Sequence, residues 1–531
     1  MRIKSKIAKS PKTRVYEETL KANTDSFHIN IKVVKNGKVV HEERGNSFVA
    51  NFMRFLAQSM AIGPIDYDYD FSTVTPINPG CTKFDSWLWV APMYNKTGGP
   101  GLNAFPEPVL ITGFPASNRI NTQHQVNLVG LLNQIRDAHY VYISNSIHSG
   151  VYEVLDSGGI TGGSWFELDG LDADPSDPAG ALVFPLVPYN PQMGTNTTHL
   201  RAWFIALGSN DTPVAIDDKW LYSSFTNSEM VPSGSIDVSP PVISENVSRI
   251  AMSITFTNNT GVEATIREIG LMTRNSLYHT ATSGVTVQNA YLKRDGLLSA
   301  TGGHTAVGMV ARDVLSSTGI PVAPSETFSI IYEIVTSIAG DTNSGIMENF
   351  NELLYRQLAT NTRTARNYFN SQIDAGVSRF QFYVPENDHG SFGAGAAPYG
   401  RFNTAYYGIL LGSEEGVVDA DDYFVKDNAS PPNDVIIPLG TDTGKLVYFP
   451  TKYVDFELGA NNCFLVFERI VENRSGGSIE VKQIGFSVAA GQDFLSPTLI
   501  SRKNLGVDSF TIADGERYAI RYKIGIEVGG S

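Results

Sequence analysis

Two pairs of adjacent aspartates are the residues in this sequence whose type and spacing first suggest chemistry. They are Asp217 with Asp218 and Asp421 with Asp422, and each pair follows a Leu-Gly-Ser turn, in LGSNDTPVAIDDKW and LGSEEGVVDADDYF. Closely placed carboxylates are typical of metal sites and of general acid–base catalysis. Adjacent residues on a strand point to opposite faces, however, so neither pair converges on one ion by itself. Turn formation ahead of the next strand explains these aspartates more simply, and we interpret all four as structural anchors.

The other motifs for catalysis, metals or cofactors are incomplete. DYDYD, from Asp66 to Asp70, places carboxylates at alternate positions but lacks the glycine and the distal glutamate of a calcium loop. GTDTGKL, residues 440–446, has the wrong spacing for a phosphate loop, and no Gly-x-Ser-x-Gly nucleophile turn occurs. Cys81 and Cys463 are far apart and form no zinc or disulfide pattern. We therefore expect a protein that is not an enzyme, with no catalytic residue, no metal and no cofactor.

Composition and charge restrict the classes of partner. The chain has 531 residues, of which 42% are hydrophobic and 18% charged, and its formal net charge is −14. Nucleic-acid binding draws its affinity from Lys and Arg, so this charge argues against a nucleic-acid partner. No run of eighteen apolar residues occurs, so we expect no membrane insertion.

The N-terminal end has a different charge from the rest of the chain. Its first fourteen residues, MRIKSKIAKSPKTR, include six basic residues and no acidic one, and they lack the apolar core of a signal peptide. We interpret residues 1–29 as a basic arm. It is either a solvated tail or a docking arm for an acidic partner.

The elements that would position the aspartates occur twice. NFMRFLAQSMA (51–61) and NFNELLYRQLA (349–359) place apolar residues at i, i+3, i+4 and i+8, which predicts a short amphipathic helix in each copy. The Leu-Gly-Ser blocks follow, then NNTGVEATIREIGLM and NRSGGSIEVKQIGFS, and finally the blocks at 311–334 and 501–524. Four matched blocks in the same order indicate an internal duplication.

The closing block of each copy has the alternation of a strand with one buried face. The inward residues are predicted to be Phe328, Ile330, Tyr332 and Ile334 in the first copy and Tyr518, Ile520, Tyr522 and Ile524 in the second. We therefore predict a mainly β fold with two duplicated, jelly-roll-like β-sandwich domains, each preceded by a short helix. The predicted domains are residues 30–335 and 349–531, joined by a linker at 336–348. A β-rich insertion at about 62–200 elaborates the first domain.

The insertion is the predicted contact region. Its large aromatic side chains are of the types that interfaces favour. The candidate interface residues are Trp87, Trp89, Tyr94, Tyr140, Tyr142, Trp165 and Phe166. The alternative is that these aromatics fill a private core of the insertion.

Arg312 and Arg502 are the remaining candidate anchors. Each arginine precedes its closing strand at the same spacing, because the two residues share the offset of 190 that also relates Tyr332 to Tyr522. A guanidinium at a fixed place in a chain of low charge suggests an anchor for a carboxylate or a carbonyl group. The alternative is a solvated charge at a strand edge.

The order of the motifs resembles a β-sandwich unit that is common in structural proteins of tailed bacteriophages. The resemblance lies in NSFVANFMRFLAQSMA, LGSNDTPVAIDDKWL, TIREIGLM and ARDVLSSTGIPVAPSETFSIIYEI. Ser47, Phe48 and Val49 fit the start of the helix motif, and the segment 268–271 fits its Glu-Ile-Gly-Leu strand. The second copy departs from the pattern, with VKQIGF and SRKNL in place of the acidic forms.

The resemblance implies a non-enzymatic virion protein that is assembled in the bacterial cytoplasm. Its expected partners are further copies of itself, around a symmetry axis of the virion, and neighbouring subunits of the tail or head-to-tail (collar or connector) region. The second hypothesis is a tail- or head-fibre module that recognises a host-surface glycan or receptor through exposed aromatic loops. Incorporation into particles at a defined stoichiometry distinguishes the first hypothesis, and saturable sugar binding distinguishes the second.

Overall fold

The structure is a computed structural model, and the predicted fold class is confirmed because the chain is mainly β. The described residues are 14–22, 27–45, 48–60, 88–93, 109–123, 140–144, 147–148, 150–189, 201–226, 228–234, 236–277, 304–315, 318–337, 344–346, 350–351, 354–355, 368–371, 378–381, 408–413, 415, 446–448, 451–490 and 496–527.

Among the described residues, three strands precede the first helix and a long series of strands follows it. The N-terminal elements are β1 (Arg14–Ala22), β2 (Phe27–Lys35), β3 (Lys38–Gly45) and α1 (Ala50–Met60). The insertion contributes β4 (Leu88–Met93), β5 (Val109–Ala116), β6 (Arg119–Gln123), β7 (Tyr140–Ser144), β8 (Gly150–Ile160), β9 (Gly163–Leu168) and β10 (Leu182–Tyr189). The rest of the first repeat contains β11 (Arg201–Gly208), β12 (Met230–Pro232), β13 (Asp237–Val238), β14 (Val242–Ser244), β15 (Val247–Asn258), β16 (Ala264–Ile266), β17 (Glu268–Leu277), β18 (His304–Val314), β19 (Ile320–Val322) and β20 (Thr327–Ser337). The second repeat contains β21 (Ser344–Ile346), β22 (Tyr368–Ser371), β23 (Ser378–Gln381), β24 (Gly408–Gly412), β25 (Leu446–Tyr448), β26 (Lys452–Leu458), β27 (Asn462–Asn473), β28 (Ile479–Val481), β29 (Gln483–Ala490), β30 (Ser496–Asn504), β31 (Phe510–Ile512) and β32 (Arg517–Glu527).

The first repeat has two sheets that face each other. One sheet has the order β12-β15-β20-β2-β3, and the other begins with β11-β17-β18. The hydroxyl of Tyr332 on β20 donates a hydrogen bond to the carboxylate of Asp313 on β18, which joins the two layers. The four inward residues predicted for β20 are all buried. The predicted helix is α1, and its apolar residues Phe52, Phe55 and Leu56 are buried.

The second repeat also has two sheets that face each other. Its sheets have the orders β1-β32-β27-β25 and β21-β30-β29-β24. The ring of Phe486 on β29 stacks on Tyr522 of β32, with 5.4 Å between the ring centroids, so these sheets also face each other. Of the second predicted helix, the structure describes residues 350–351 and 354–355, and these are helical.

Strand registers match between the repeats. Gly270 on β17 is opposite Arg312 on β18, and Gly485 on β29 is opposite Arg502 on β30. The bulge that follows Leu271 in the first pair recurs at the equivalent position in the second pair. A bulge inserts one unpaired residue and bends the strand, so its recurrence means that both sheets bend at the same place.

A pair of buried asparagines repeats the same hydrogen bonds. The side-chain amide of Asn258 donates to a carbonyl of the following turn at 2.9 Å and to one of β19 at 2.8 Å. Asn473 donates to the matching carbonyls, in its own turn and in β31, at 2.7 Å each. Each asparagine therefore fastens a turn to the edge of its repeat.

The insertion forms a closed antiparallel barrel. β10 pairs with both β5 and β7, and β5–β6, β6–β9, β9–β8 and β8–β7 complete the ring. Closure leaves no free sheet edge among these six strands. The interior is apolar and consists of Ile111, Phe114, Ile120, Val141, Ile143, Val154, Phe166, Leu168, Leu171, Ala173, Ala181 and Val183. The end of β10 pairs with β4, and β4 pairs with β18, so the barrel is joined to the first repeat through these two strands.

The two repeats share one hydrophobic core. α1 of the first repeat packs against β18 and also against β27 of the second repeat. Phe27 stacks on Phe48 at 4.7 Å and meets Phe350 of the second repeat edge-on at 6.1 Å between ring centroids. A small apolar cavity of about 30 Å³ lies at this junction. Buried residues of both repeats therefore belong to one continuous core.

Two predicted boundaries need correction. The predicted arm at 1–29 contains β1, and β2 already begins at Phe27, so the described part of the arm is largely strand. Four of the nine residues of β1 are charged, which concealed its Val, Tyr, Thr and Leu as strand formers. The predicted linker at 336–348 is also partly strand, because β20 extends to Ser337 and β21 pairs with β30.

Candidate functional site

Arg312 is the centre of a buried ion cluster in the first repeat. Its Nε donates to Glu268 at 2.9 Å, and its Nη1 donates to Asp218 at 3.0 Å. Nη2 donates to the backbone carbonyl of Thr212 at 2.8 Å. The three charged residues come from β18, from the start of β17 and from the loop that follows β11. The guanidinium therefore holds that loop against the sheet.

The two carboxylates have further donors from the same loop. Glu268 accepts the backbone N–H of Tyr222 at 3.2 Å and that of Ser223 at 2.7 Å. Asp218 accepts the N–H of Ala215 at 2.9 Å and the hydroxyl of Tyr222 at 3.2 Å. The Tyr222 ring also lies 4.5 Å from the guanidinium carbon, within the range of a cation–π contact. The loop is thus fixed by both its backbone and its side chains.

Burial determines the electrostatics of this cluster. It raises the pKa of Asp218 and of Glu268 above their ordinary values, and the charge of Arg312 opposes that shift. Burial also raises the pKa of Tyr142, which lies beside the cluster, well above its ordinary value. Arg312 and Glu268 are 0% exposed and Asp218 is 3% exposed, so a substrate has no access to these carboxylates. What the arrangement can do is hold the loop in place.

Asp217 points away from its neighbour and takes part in a different contact. Its carboxylate pairs with Lys219 and lies 3.6 Å from Nη1 of Arg54 on α1. The Arg54 guanidinium lies 4.6 Å from the ring of Phe456 in the second repeat. Burial lowers the pKa of Lys219 to about 8, and Asp217 opposes that shift. The adjacent aspartates therefore make two separate contacts. Asp218 belongs to the ion cluster, and Asp217 lies at the junction of the repeats.

The second repeat has different chemistry at the place of the ion cluster. Arg502 is buried there, as Arg312 is in the first repeat. Gln483 occupies the position of Glu268, and its amide donates to Oδ1 of Asn504 at 2.5 Å. A neutral amide pair thus replaces a carboxylate. Asp421 and Asp422 lie outside the described residues.

Arg469 is a buried charge that the sequence analysis did not identify. It lies on β27, donates to the carbonyl of Ile409, and has its guanidinium 4.8 Å from the ring of Tyr448. Burial lowers the pKa of Arg469 to about 9. The sequence did contain a signal for its burial, because Arg469 lies two residues from Phe467 and two from Val471 and so shares their inward face of the strand.

Two of the candidate interface aromatics are inside the chain. Phe166 is in the barrel interior, and Tyr142 packs in a second apolar cluster with Trp220 of the first repeat. Both are buried, so they present no surface to another subunit, and this corrects the expectation for them. Tyr142 faces outward from the barrel but inward to the first repeat, because its strand forms part of the barrel wall that this repeat covers.

Trp165 lies on the outer wall of the barrel. The guanidinium of Arg119 stacks on its ring at 3.9 Å from the ring centroid. Gly158 on the neighbouring strand allows this position, since a Cβ there would be 2.5 Å from Nε1 of the indole. Trp89 and Tyr140 are placed by their backbones alone, in β4 and β7. Trp87 and Tyr94 lie outside the described residues.

Metal and membrane sites are not found in the described part of the chain. No group of three or more His, Cys, Asp or Glu side chains there has the arrangement of a metal site. The acidic segment 66–70 lies outside it. No helix among the described residues is long and apolar enough to span a membrane.

Comparison with known proteins adds no relative. No family model, no curated protein and no solved structure gives a significant match to this chain.

Proposed function

We propose that this chain is a non-enzymatic structural protein of a tailed-bacteriophage virion. It assembles with further copies of itself and with neighbouring subunits in the tail or head-to-tail region. The observation that carries the proposal is the burial of the charged motif residues that could have formed a catalytic or metal site. Asp218, Glu268 and Arg312 are fully engaged with one another and with a backbone loop, which is the role of a scaffold.

The shared core supports a structural role. Two repeats with matching registers are fused through α1 and the Phe27 cluster, and so form one body with sheets in both halves. The closed barrel has its own core and is joined to this body through β4, through β10 and through the apolar cluster that contains Tyr142 and Trp220. A module of this kind is suited to contact a neighbouring subunit without disturbing the repeats.

Charge restricts the proposed partners, because a formal charge of −14 disfavours nucleic acid. The resemblance of the motif order to phage structural proteins supports the rest of the proposal, in which the partners are proteins of the particle and the chain assembles in the bacterial cytoplasm before it enters the virion. No cofactor is needed for this role.

Deletion of the barrel tests the proposal. Replacing residues 109–184 by a short Gly/Ser linker keeps β4 and the end of β10 but uncovers Trp220, which packs on Tyr142. We expect the repeats to fold, and cooperative urea unfolding of the deleted chain checks this before the particles are analysed. The deleted chain should be missing from purified particles, whereas the full-length chain is incorporated at a fixed stoichiometry. Mass spectrometry of the particles and immunogold labelling measure both. Normal incorporation of the deleted chain refutes the contact role of the barrel, and absence of the full-length chain from particles refutes the proposal.

Recognition of a host-surface glycan or receptor is the second candidate. The observation that favours it is the ring of Trp165 on the outer barrel wall with Arg119 beside it, because aromatic and polar side chains together are typical of sugar-binding surfaces. Saturable binding to host surface polysaccharide, weakened at least tenfold by Trp165→Ala and unchanged by Lys38→Ala on exposed β3, would favour this function.

A further inference from the structure

The second repeat obtains one of its strands from the other end of the chain. In the first repeat, β2 covers the outer edge of β20 and pairs with residues 328–336. In the second repeat, β1 covers the outer edge of β32 and pairs with residues 518–526. These two segments are equivalent under the offset of 190. β1 thus fills the place of β2, although it runs parallel to its partner and β2 runs antiparallel.

The covered edge of β32 has the features of a strand-binding site. An unpaired edge strand presents free N–H and C=O groups and recruits another extended segment. Tyr16 of β1 stacks on Phe510 at 4.5 Å, and Phe510 stacks on Tyr518 at 5.3 Å between centroids. Arg14 donates to the Tyr518 hydroxyl at 3.1 Å and pairs with Glu516 at 3.3 Å. Side chains therefore fix the register that the backbone alone would leave open.

The connection of β1 to its own chain is short and easily redirected. Only residues 23–26 separate β1 from β2, and β1 precedes every other described element. β1 could therefore leave β32 without displacing any other described strand. Exchange of such a terminal element between identical chains makes the same contacts again, which is why it is a low-cost route to assembly.

Charge favours a second copy of this chain as the source of the strand. Six basic residues lie in the first fourteen positions, so the remaining 517 residues carry a formal charge of −20. β1 itself has no net charge, and the basic segment that leads into it is attracted to the acidic body of another copy. Within one chain the short connection gives β1 an effective concentration of about 1 mM, which neighbours in an assembly match or exceed.

We propose that the edge of β32 is a strand-acceptor site that is filled, in an assembly, by β1 of a second copy. The proposal rests on the self-assembly in the proposed function and names the contact that links the copies. In dilute solution each chain keeps its own β1. In an assembly, successive copies are joined by their N-terminal strands.

Paired cysteines in separate chains test the exchange. Glu17 on β1 is opposite Arg521 on β32, and both are exposed. Chains with Glu17→Cys are mixed with chains with Arg521→Cys, refolded together and oxidised. A disulfide between position 17 of one chain and position 521 of the other, identified by peptide mass spectrometry, requires β1 of one chain to lie on β32 of the other. The matched control is Lys32→Cys mixed with Ile331→Cys, which is the equivalent pair between β2 and β20. The unmodified chain is oxidised beside them.

A shortened connection makes the test decisive. β1 and β2 belong to different sheets, and a direct peptide link spans only about 3.8 Å between Cα atoms. We therefore expect deletion of residues 23–26 to prevent β1 from pairing along its whole length with β32 of its own chain. In this background we expect disulfide-linked dimers to be the main product at micromolar concentration. With the native connection, their share should increase as the protein concentration approaches about 1 mM.

The outcomes separate this inference from the proposed function. Absence of linked dimers in the shortened chain, or equal linkage of the control pair, overturns strand exchange. A native chain that enters particles without exchanging strands leaves the proposed function standing and overturns the exchange alone. A chain that exchanges strands but is missing from particles overturns the proposed function and leaves the strand exchange standing.

Discussion

Removal of the Arg312 guanidinium should strongly destabilise the first repeat at neutral pH. Arg312→Met keeps most of the side-chain volume but leaves Asp218 and Glu268 buried without their cation. Loss of one partner of a buried ion pair costs about 3–5 kcal/mol, because the remaining charge is isolated from water. The backbone donors that remain satisfy part of each carboxylate. We therefore expect a loss of about 4 kcal/mol in the free energy of unfolding at pH 7.

The loss should depend on pH in a definite direction. Burial already raises the pKa of both carboxyls, and without the guanidinium that opposes it their folded-state pKa values rise further. The folded variant then binds more protons than the unfolded chain, so its stability increases as pH falls through those raised values. The deficit against the native chain should consequently shrink between pH 7 and pH 5.

A triple variant isolates the electrostatic cause. Arg312→Met with Asp218→Asn and Glu268→Gln removes every charge of the cluster and approaches the amide chemistry of Gln483 in the second repeat. Its loss should be under about 2 kcal/mol, since neutral groups are easier to bury.

Urea unfolding, followed by tryptophan fluorescence at pH 7 and pH 5, measures these free energies. The control is Lys32→Met, which removes a partly exposed pair with Glu333 and should cost about 1 kcal/mol. A loss below about 1 kcal/mol for Arg312→Met, or one that is the same at both pH values, would refute the reasoning.

Three further predictions follow from other contacts. The pKa of Lys219 is lowered to about 8 in the folded chain, so between pH 8 and pH 10.5 the unfolded chain binds more protons than the folded one. The free energy of unfolding of the native protein should therefore increase by up to about 3 kcal/mol relative to that of Lys219→Met as pH rises through this range. A difference in urea unfolding that does not change with pH would contradict this. Gly163→Ala would place a Cβ 2.0 Å from the carbonyl oxygen of Thr122, so we expect it to destabilise the barrel by at least about 2 kcal/mol, whereas Gly113→Ala meets no atom within 4 Å and should be near neutral; hydrogen exchange of barrel amides distinguishes the two. Asn258→Ala removes five side-chain hydrogen bonds and Asn473→Ala removes three, one of each set being fully buried. Each should therefore cost at least about 2 kcal/mol in urea unfolding, and a loss below about 0.5 kcal/mol at either position would show that the asparagine does not fasten its turn.

Local patterns in the sequence were sufficient for the elements whose signal is periodic. The alternating residues of β20 and β32 are buried as predicted, because period is a property of consecutive residues. In α1 the predicted residues Phe52, Phe55 and Leu56 are buried, but Asn51 and Arg54 beside them are buried too, so the helix has no exposed polar face over residues 50–56. Asp217 and Asp218 also diverge, but they lie in a turn and not on a strand, so the alternation of a strand is not the reason. Part of the cluster was also within reach, since the Glu-Ile-Gly-Leu strand already contained Glu268.

What the sequence by itself determined is therefore the mainly β fold class and the inward faces of β20 and β32. Only the tertiary structure decided which distant segments pair. It placed β1 on β32, closed the barrel through β10, turned Tyr142 against the first repeat, and merged two repeats into one core. The physical reason is that a strand's partner is selected by the edge and the side chains that remain uncovered elsewhere in the molecule. Those are set by the other strands and not by the residues of the strand itself.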